Sequence, residues 1–305
     1  MTVIERLRRV YSRGGLTEVL RKVFFKTMYS IKNAITVLFV RKHEMEYALN
    51  QVERQEKVIV SMTTYKERFA GICDCIKSLC LQKVKPDKIC IYFGSDVTPD
   101  DLTSEMLEFM QYGVEYFFDD TENLKSHKKY YYAFQAFPDD VIITVDDDVY
   151  YPPDWLQKMM KTHRKFPDAV CAWRLHKMTF TDTDLKDYRF WIDEYRKEKE
   201  PSFSLLPTGV GGVLYPPRIF DNDVLDKELF KTLCFNADDI WLKISYTKRG
   251  VKTVWVPNWE VSFAGTEKVQ KSSLSDSNVA NNQNDVILKN VMDKMGLDYR
   301  MFLDR

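Results

Sequence analysis

From Lys57 to Asp148 the chain alternates short β-type apolar runs with stretches of helical periodicity, and this limits its fold more than any other feature. KVIVSMT (57–63), DKICIYFG (87–94), VEYFF (114–118) and VIITVDDD (141–148) read as strands. Between them, FAGICDCIKSLCLQ (69–82) places Ile72, Ile76 and Leu79 on one helical face. DDLTSEMLEFMQYG (100–113) reads as a helix ending on glycine, and HKKYYYAFQAF (127–137) as another helix. Strand–helix alternation of this kind predicts an α/β fold, a mostly parallel mixed sheet with helices on both faces. Pro152-Pro153 open a further predicted helix from Asp154 to about Phe166, and AVCAW (169–173) reads as a strand. A helix from about Asp238 to Lys248, a late strand VKTVWVP (251–257) and a short terminal helix (286–295) complete the pattern. The charged stretch 176–201 reads as an irregular excursion, and the polar run after Gly265 as a loop.

The 45% hydrophobic content is ample for a core, which excludes wholesale disorder. Net charge is zero, but Met1 to Lys42 hold ten Lys or Arg against two Glu, leaving residues 43–305 at minus eight. Leu16, Val19, Leu20, Val23, Phe24, Met28, Ile31, Ile35 and Leu38 recur there at helical spacing, with Arg21, Lys22, Lys26 and Lys32 between them. The segment is expected either to lie on an anionic membrane surface or to pack on the main domain with its charges in water. Its uncharged run, Asn33 to Val40, is far shorter than the ~20 residues of a spanning helix. Arg41-Lys42-His43-Glu44 follows it where a signal peptide would place small residues. No second basic patch follows, so nucleic acid is not expected as a partner. The six cysteines lack zinc-type spacing and read as buried free thiols of a cytoplasmic protein.

Asp146, Asp147 and Asp148 stand at the carboxyl end of a buried strand, where open α/β sheets bind ligands. Alternation along a strand puts Asp146 and Asp148 on one face and Asp147 on the other. Two converging carboxylates repel, and a divalent cation such as Mg²⁺ or Mn²⁺ relieves the repulsion. The competing reading is an aspartate-rich turn that caps the next helix, a task Asp154 could perform by itself. Lys125, His127, Lys128 and Lys129 open a helix, which suits either anionic phosphates or a solvated basic start. In LPTGVGGVLYPP (206–217), three glycines within four residues favour close backbone approach to a ligand over a plain turn. Asp238 and Asp239 begin a helix, where one could be its N-cap.

Read in order, VSMTTYKERF, SLCLQKVKPDKICIYFG, VDDDVYYPPDWL, PTGVGGVLYPP and ADDIWLKI resemble a nucleotide-sugar glycosyltransferase of the GT-A (Rossmann-like) fold. The resemblance is to bacterial family-2-like transferases of capsule and lipopolysaccharide synthesis, with later blocks similar to the exostosin type. It covers roughly residues 57–260 and implies a catalytic domain over 56–265, between a basic segment (1–55) and a polar loop with a terminal helix (266–305). It implies Mn²⁺ or Mg²⁺ on Asp148 and Asp146, with Asp146 and Asp147 near the donor. Thr63, Thr64, Tyr65 and Arg68 would receive the nucleotide base and ribose, with Lys125, Lys128 and Lys129 on the phosphates. Thr208, Gly209, Gly211 and Gly212 would wall the sugar or acceptor, and Asp239, with Asp238 beside it, would be the general base. The implied partners are a nucleotide-sugar donor, a glycan or lipid-linked acceptor and, through residues 1–42, an anionic membrane surface. The implied place is the cytoplasmic face of a bacterial membrane. No histidine follows His176 to serve as the late metal ligand of many such enzymes. A sugar nucleotidyltransferase and a non-catalytic carbohydrate- or cation-binding module are the alternatives.

Overall fold

The computed structural model of the chain describes residues 20, 23–24, 27–258, 263–266 and 283–304. The expected polar loop over 267–282 and the apolar positions Leu16 and Val19 lie outside the described residues, as do Arg21, Lys22 and Lys26. A helix over 27–42 (α1) leads into the main body. There follow β1 (Val58–Thr63), α2 (Phe69–Cys80), β2 (Lys88–Phe93), α3 (Ser104–Glu108), β3 (Val114–Phe118), α4 (Lys128–Ala136), β4 (Val141–Val145) and α5 (Trp155–Lys165). The second half adds β5 (Val170–Ala172), β6 (Leu175–Lys177), β7 (Leu205–Pro207), β8 (Val213–Tyr215), α6 (Lys227–Leu233), α7 (Asp238–Thr247), β9 (Thr253–Trp255) and α8 (Gln283–Met295). No described helix is long and apolar enough to cross a membrane.

Seven strands form one sheet in the order β3-β2-β1-β4-β8-β5-β9. All neighbours are parallel except β8, which runs against both β4 and β5. This is the mixed α/β architecture that the alternation predicts. Val60, Ile143, Ile72, Ile76, Leu79, Trp155 and Met159 pack in one core, which joins the sheet to α2 and α5. Tyr130, Trp241, Ile244, Phe230 and Val291 anchor a second core shared by α4, α6, α7 and α8. Both faces of the central strands are therefore dry, and their runs are mostly apolar, with Ser61 and Thr144 buried among them, rather than alternating. All six cysteines are buried and free.

Three local readings change. The helix expected over 100–113 is broken: α3 spans five residues, capped by the Thr103 side chain, and a 3-10 turn (Phe109–Tyr112) follows. Asp154 does not cap α5; its carboxylate instead meets Lys158 one turn on, at 2.9 Å. The excursion over 176–201 is partly regular, because β6 opens it and pairs with β7 in a small antiparallel sheet.

Candidate active site

Strand register brings the site together. Met62 on β1 lies beside Val145 on β4, so the loop after β1 faces Asp146 to Asp148 directly. Thr144 lies beside Val213 on β8, which delivers the 208–212 turn to the same end of the sheet. α4 and α7 start at this end too, because Lys129 reaches both Asp146 and Asp238.

Arg68 organises the carboxylates on one side. Its guanidinium pairs with Asp147 and lies 3.1 Å from Asp148, while its Nε donates to the Tyr65 hydroxyl at 2.8 Å. Asp147 is 5% exposed, so its charge is held inside the protein by this pair. Burial still raises the Asp147 carboxyl above the usual range, with Arg68 opposing. Asp148 is pushed up to about 6 by burial and by the neighbouring Asp146 charge. Tyr65 keeps an exposed ring and Thr64 is buried beside Asp147, whereas Thr63 ties its hydroxyl to the Tyr92 carbonyl of β2 at 2.8 Å.

Lys129 organises the other side. Its ammonium lies 3.3 Å from Asp238 and 3.5 Å from Asp146 and is itself buried. Burial alone would depress the lysine, but Asp238 and Asp146 outweigh it and hold the charge on. Burial likewise opposes the Asp238 charge, yet Lys129 and His127 draw that carboxyl below its usual value. Lys129 also acts on Asp239, but less than burial and the Asp238 charge do. Burial and the Asp238 charge raise it to about 7, where a carboxylate can exchange a proton near neutrality. Asp238 does not act as the N-cap of α7, since Ala237 holds that position without a side-chain bond.

The other residues expected to face phosphate each have a partner within the protein. Lys125 donates to Asn236 at 2.8 Å and stacks over Phe235, and Lys128 donates to Asn123 at 2.6 Å. His127 is buried between Phe230 and the Cys234 carbonyl, and burial lowers its basicity. Of these residues Lys125 is exposed, while His127 and Lys128 are buried.

The glycine turn divides into two parts. At Gly209 a Cβ would meet only the Lys129 ammonium, at 3.8 Å, so this backbone borders the site. At Gly211 and Gly212 it would strike Trp173 at 2.6 Å and Trp155 at 2.8 Å. Those two glycines answer to packing against buried tryptophans. Thr208 is held by Arg174, whose Nε donates to the threonine hydroxyl at 2.9 Å. Sequence reading passed over Arg174, although it is the sole charge in the apolar run AVCAWRL.

Two carboxylates, Asp146 and Asp148, are each about one-third exposed at this end of the sheet. Hard oxygen donors in that number suit Mg²⁺ or Mn²⁺, which take one or two carboxylates and complete their shell with water and phosphate. No described group of three His, Cys, Asp or Glu side chains converges to hold a metal, so the remaining ligands would come from substrate and water.

The Glycosyl transferase family 2 model matches residues 59–233, a span that includes all three aspartates and the glycine turn. The chain belongs to glycosyl transferase family 2. The enzyme is therefore a glycosyltransferase, and Asp238 and Asp239 fall just beyond the matched span. No curated protein matches the chain. Among solved structures, this family 2 transferase is similar to the mannosyltransferase PcManGT from Pyrobaculum calidifontis in complex with GDP-Man and Mn²⁺. The likeness has a TM-score of 0.49 at 13% identity over 90% of this chain and 74% of that one. It is also similar to TarS 1–349 of S. aureus in complex with UDP, with a TM-score of 0.45 at 14% identity over 68% of this chain and 59% of that one.

Proposed function

We propose that this family 2 enzyme transfers a sugar from a nucleoside-diphosphate sugar to a hydroxyl of a glycan or lipid-linked acceptor, using Mn²⁺ or Mg²⁺. The observation that carries the reading is the convergence of Asp146, Asp148, Lys129, Asp238 and Asp239 at the carboxyl end of β4. Asp146 and Asp148 hold the divalent ion, which when bound supplies charge neutralisation on the departing diphosphate. Tyr65 offers its exposed ring to the base, and Gly209 lets the backbone approach the sugar.

Asp239 is the general base. Its carboxylate takes the acceptor hydroxyl proton while that oxygen bonds to the anomeric carbon. The bond from the anomeric carbon to the diphosphate breaks, and its electron pair leaves with the diphosphate. A single displacement of this kind inverts the anomeric centre. Lys129 keeps Asp238 ionised, and the resulting negative charge makes Asp239 the more basic of the two.

The biological setting that fits is bacterial surface polysaccharide synthesis, capsule or lipopolysaccharide, at the cytoplasmic face of the membrane. The block resemblance and the basic amino-terminal segment support it. The test is incubation with a panel of nucleotide sugars, Mn²⁺ and candidate acceptors, with nucleoside diphosphate release as the readout. Release that Asp148→Ala abolishes is the expected result. Pyrophosphate formation would favour a nucleotidyltransferase, and no binding of any nucleotide sugar would favour a non-catalytic module.

A further inference from the structure

α1 shows its body-facing and outward faces clearly. Thr36 and Val40 are buried, with Tyr29, Asn33 and Val37 half-buried on the same side. On the other side Met28, Ile31, Ile35 and Leu38 are each about half exposed. Phe24, one turn before Met28 in the helical pattern, is 59% exposed. An α-helix that serves only to pack on its domain turns its apolar stripe inward and its polar residues outward. Here the larger aliphatic side chains face outward, while a threonine and an asparagine face the body.

The helix is nonetheless fixed to the catalytic domain. The Arg41 guanidinium donates to the Tyr150 hydroxyl at 3.4 Å, and Tyr150 donates to Asp74 on α2. The Lys32 charge also acts on Asp154, at the start of α5. Tyr150 and Asp154 belong to the segment that leaves the three aspartates, so the outward stripe has a set orientation relative to the donor site.

We infer that this stripe seats the enzyme on an anionic lipid bilayer, with the apolar residues in the interface and the basic residues among the headgroups. Charge decides the occupant. From Arg21 to Lys42 the sequence has six Lys or Arg and no Asp or Glu. Interfacial helices combine an apolar face with basic residues in this way, and each Lys or Arg near an anionic surface adds to binding. The 4-3-4-3 spacing of residues 24, 28, 31, 35 and 38 would also suit a coiled coil. A second copy of the same segment would add six further cations and no carboxylate, which opposes pairing. The inference stands apart from the reaction proposed above, because it rests on the exposed face and charge of α1 alone.

The test uses the full chain with vesicles of phosphatidylcholine alone and with ~30% phosphatidylglycerol, read by flotation. The protein is expected to float with the anionic vesicles, to lose most binding in 0.5 M salt, and to stay behind with phosphatidylcholine. Ile31→Glu with Ile35→Glu should reduce anionic-vesicle binding by ~100-fold, because it removes inserted side chains and adds two negative charges. Those positions are exposed, so melting temperature and nucleoside diphosphate release with a soluble acceptor should match the parent. Vesicle binding that the double substitution leaves intact would overturn the inference. So would a dimer in light scattering that the substitution dissociates, in the absence of any vesicle binding.

Discussion

The Arg68 guanidinium stands 3.1 Å from the Asp148 carboxylate while it pairs with the buried Asp147. One cation thus supports a structural carboxylate and covers a carboxylate proposed to hold the metal. A divalent ion must compete with Arg68 for Asp148. Arg68→Met is expected to increase Mn²⁺ affinity of the nucleotide-free protein by ~10-fold, as titration calorimetry would show. The same change strands Asp147 and should cost about 3 kcal/mol of stability by denaturant unfolding. Unchanged Mn²⁺ affinity would mean that Arg68 serves Asp147 alone.

As the proposed base, Asp239 would set the acidic limb of the rate profile. With its carboxyl raised to about 7, the ionised form needed by a base is lost as pH falls through 7. Therefore kcat/KM should rise from pH 6 to 8 and then level. Asp239→Asn should lower kcat by ~10²–10⁴ and remove that limb while nucleotide binding persists. The same raised carboxyl makes a signed contribution to stability. The folded state holds the proton more firmly, so this stabilising contribution is full below the unfolded Asp value near ~4 and is lost as pH rises through 7. In Asp239→Asn, unfolding free energy should vary less between pH 4 and 7 than in the parent.

Lys243 is fully buried in the second core, and burial lowers it to about 7, with the Asp304 charge opposing. Here the unfolded chain binds the extra proton between pH 7 and ~10, so this residue makes stability rise with pH across that range. Lys243→Met should raise the melting temperature at pH 7 and flatten the rise, because an apolar side chain of similar length avoids the buried charge. A lower melting temperature would show that the ammonium's weak bond to Thr253, at 3.4 Å, outweighs its desolvation.

Gly211 and Gly209 should respond differently to alanine. Gly211→Ala places a Cβ 2.6 Å from the Trp173 ring at a φ of +81°, and should cost about 3 kcal/mol in unfolding free energy. Gly209→Ala, with φ of +74° and only the Lys129 tip nearby, should cost about 1 kcal/mol and act mainly on the KM for the donor. Equal losses of stability would contradict the division of the turn.

What the sequence determined by itself is local or periodic. Runs such as VIITV are legible as strands because burial on both faces needs mostly apolar, β-branched residues. The charge at the end of that strand marks the ligand-binding edge for the same reason, since nothing so polar could continue into the core. The amphipathic period of residues 20–38 was legible too, but not which way its apolar face turns. Tertiary structure alone decided the partners across long loops. Arg68 meets Asp147 79 residues on, and Lys129 meets Asp238 across the second half of the sheet. The antiparallel insertion of β8 between β4 and β5 brings the glycine turn beside the aspartates and packs two of its glycines against tryptophans. Such pairings depend on chain topology, and a local pattern records only that a charge or a glycine is present. This is why the aspartates stand out in the sequence, while the cations that hold them, and the opposite carboxyl shifts of Asp238 and Asp239, emerge only from the fold.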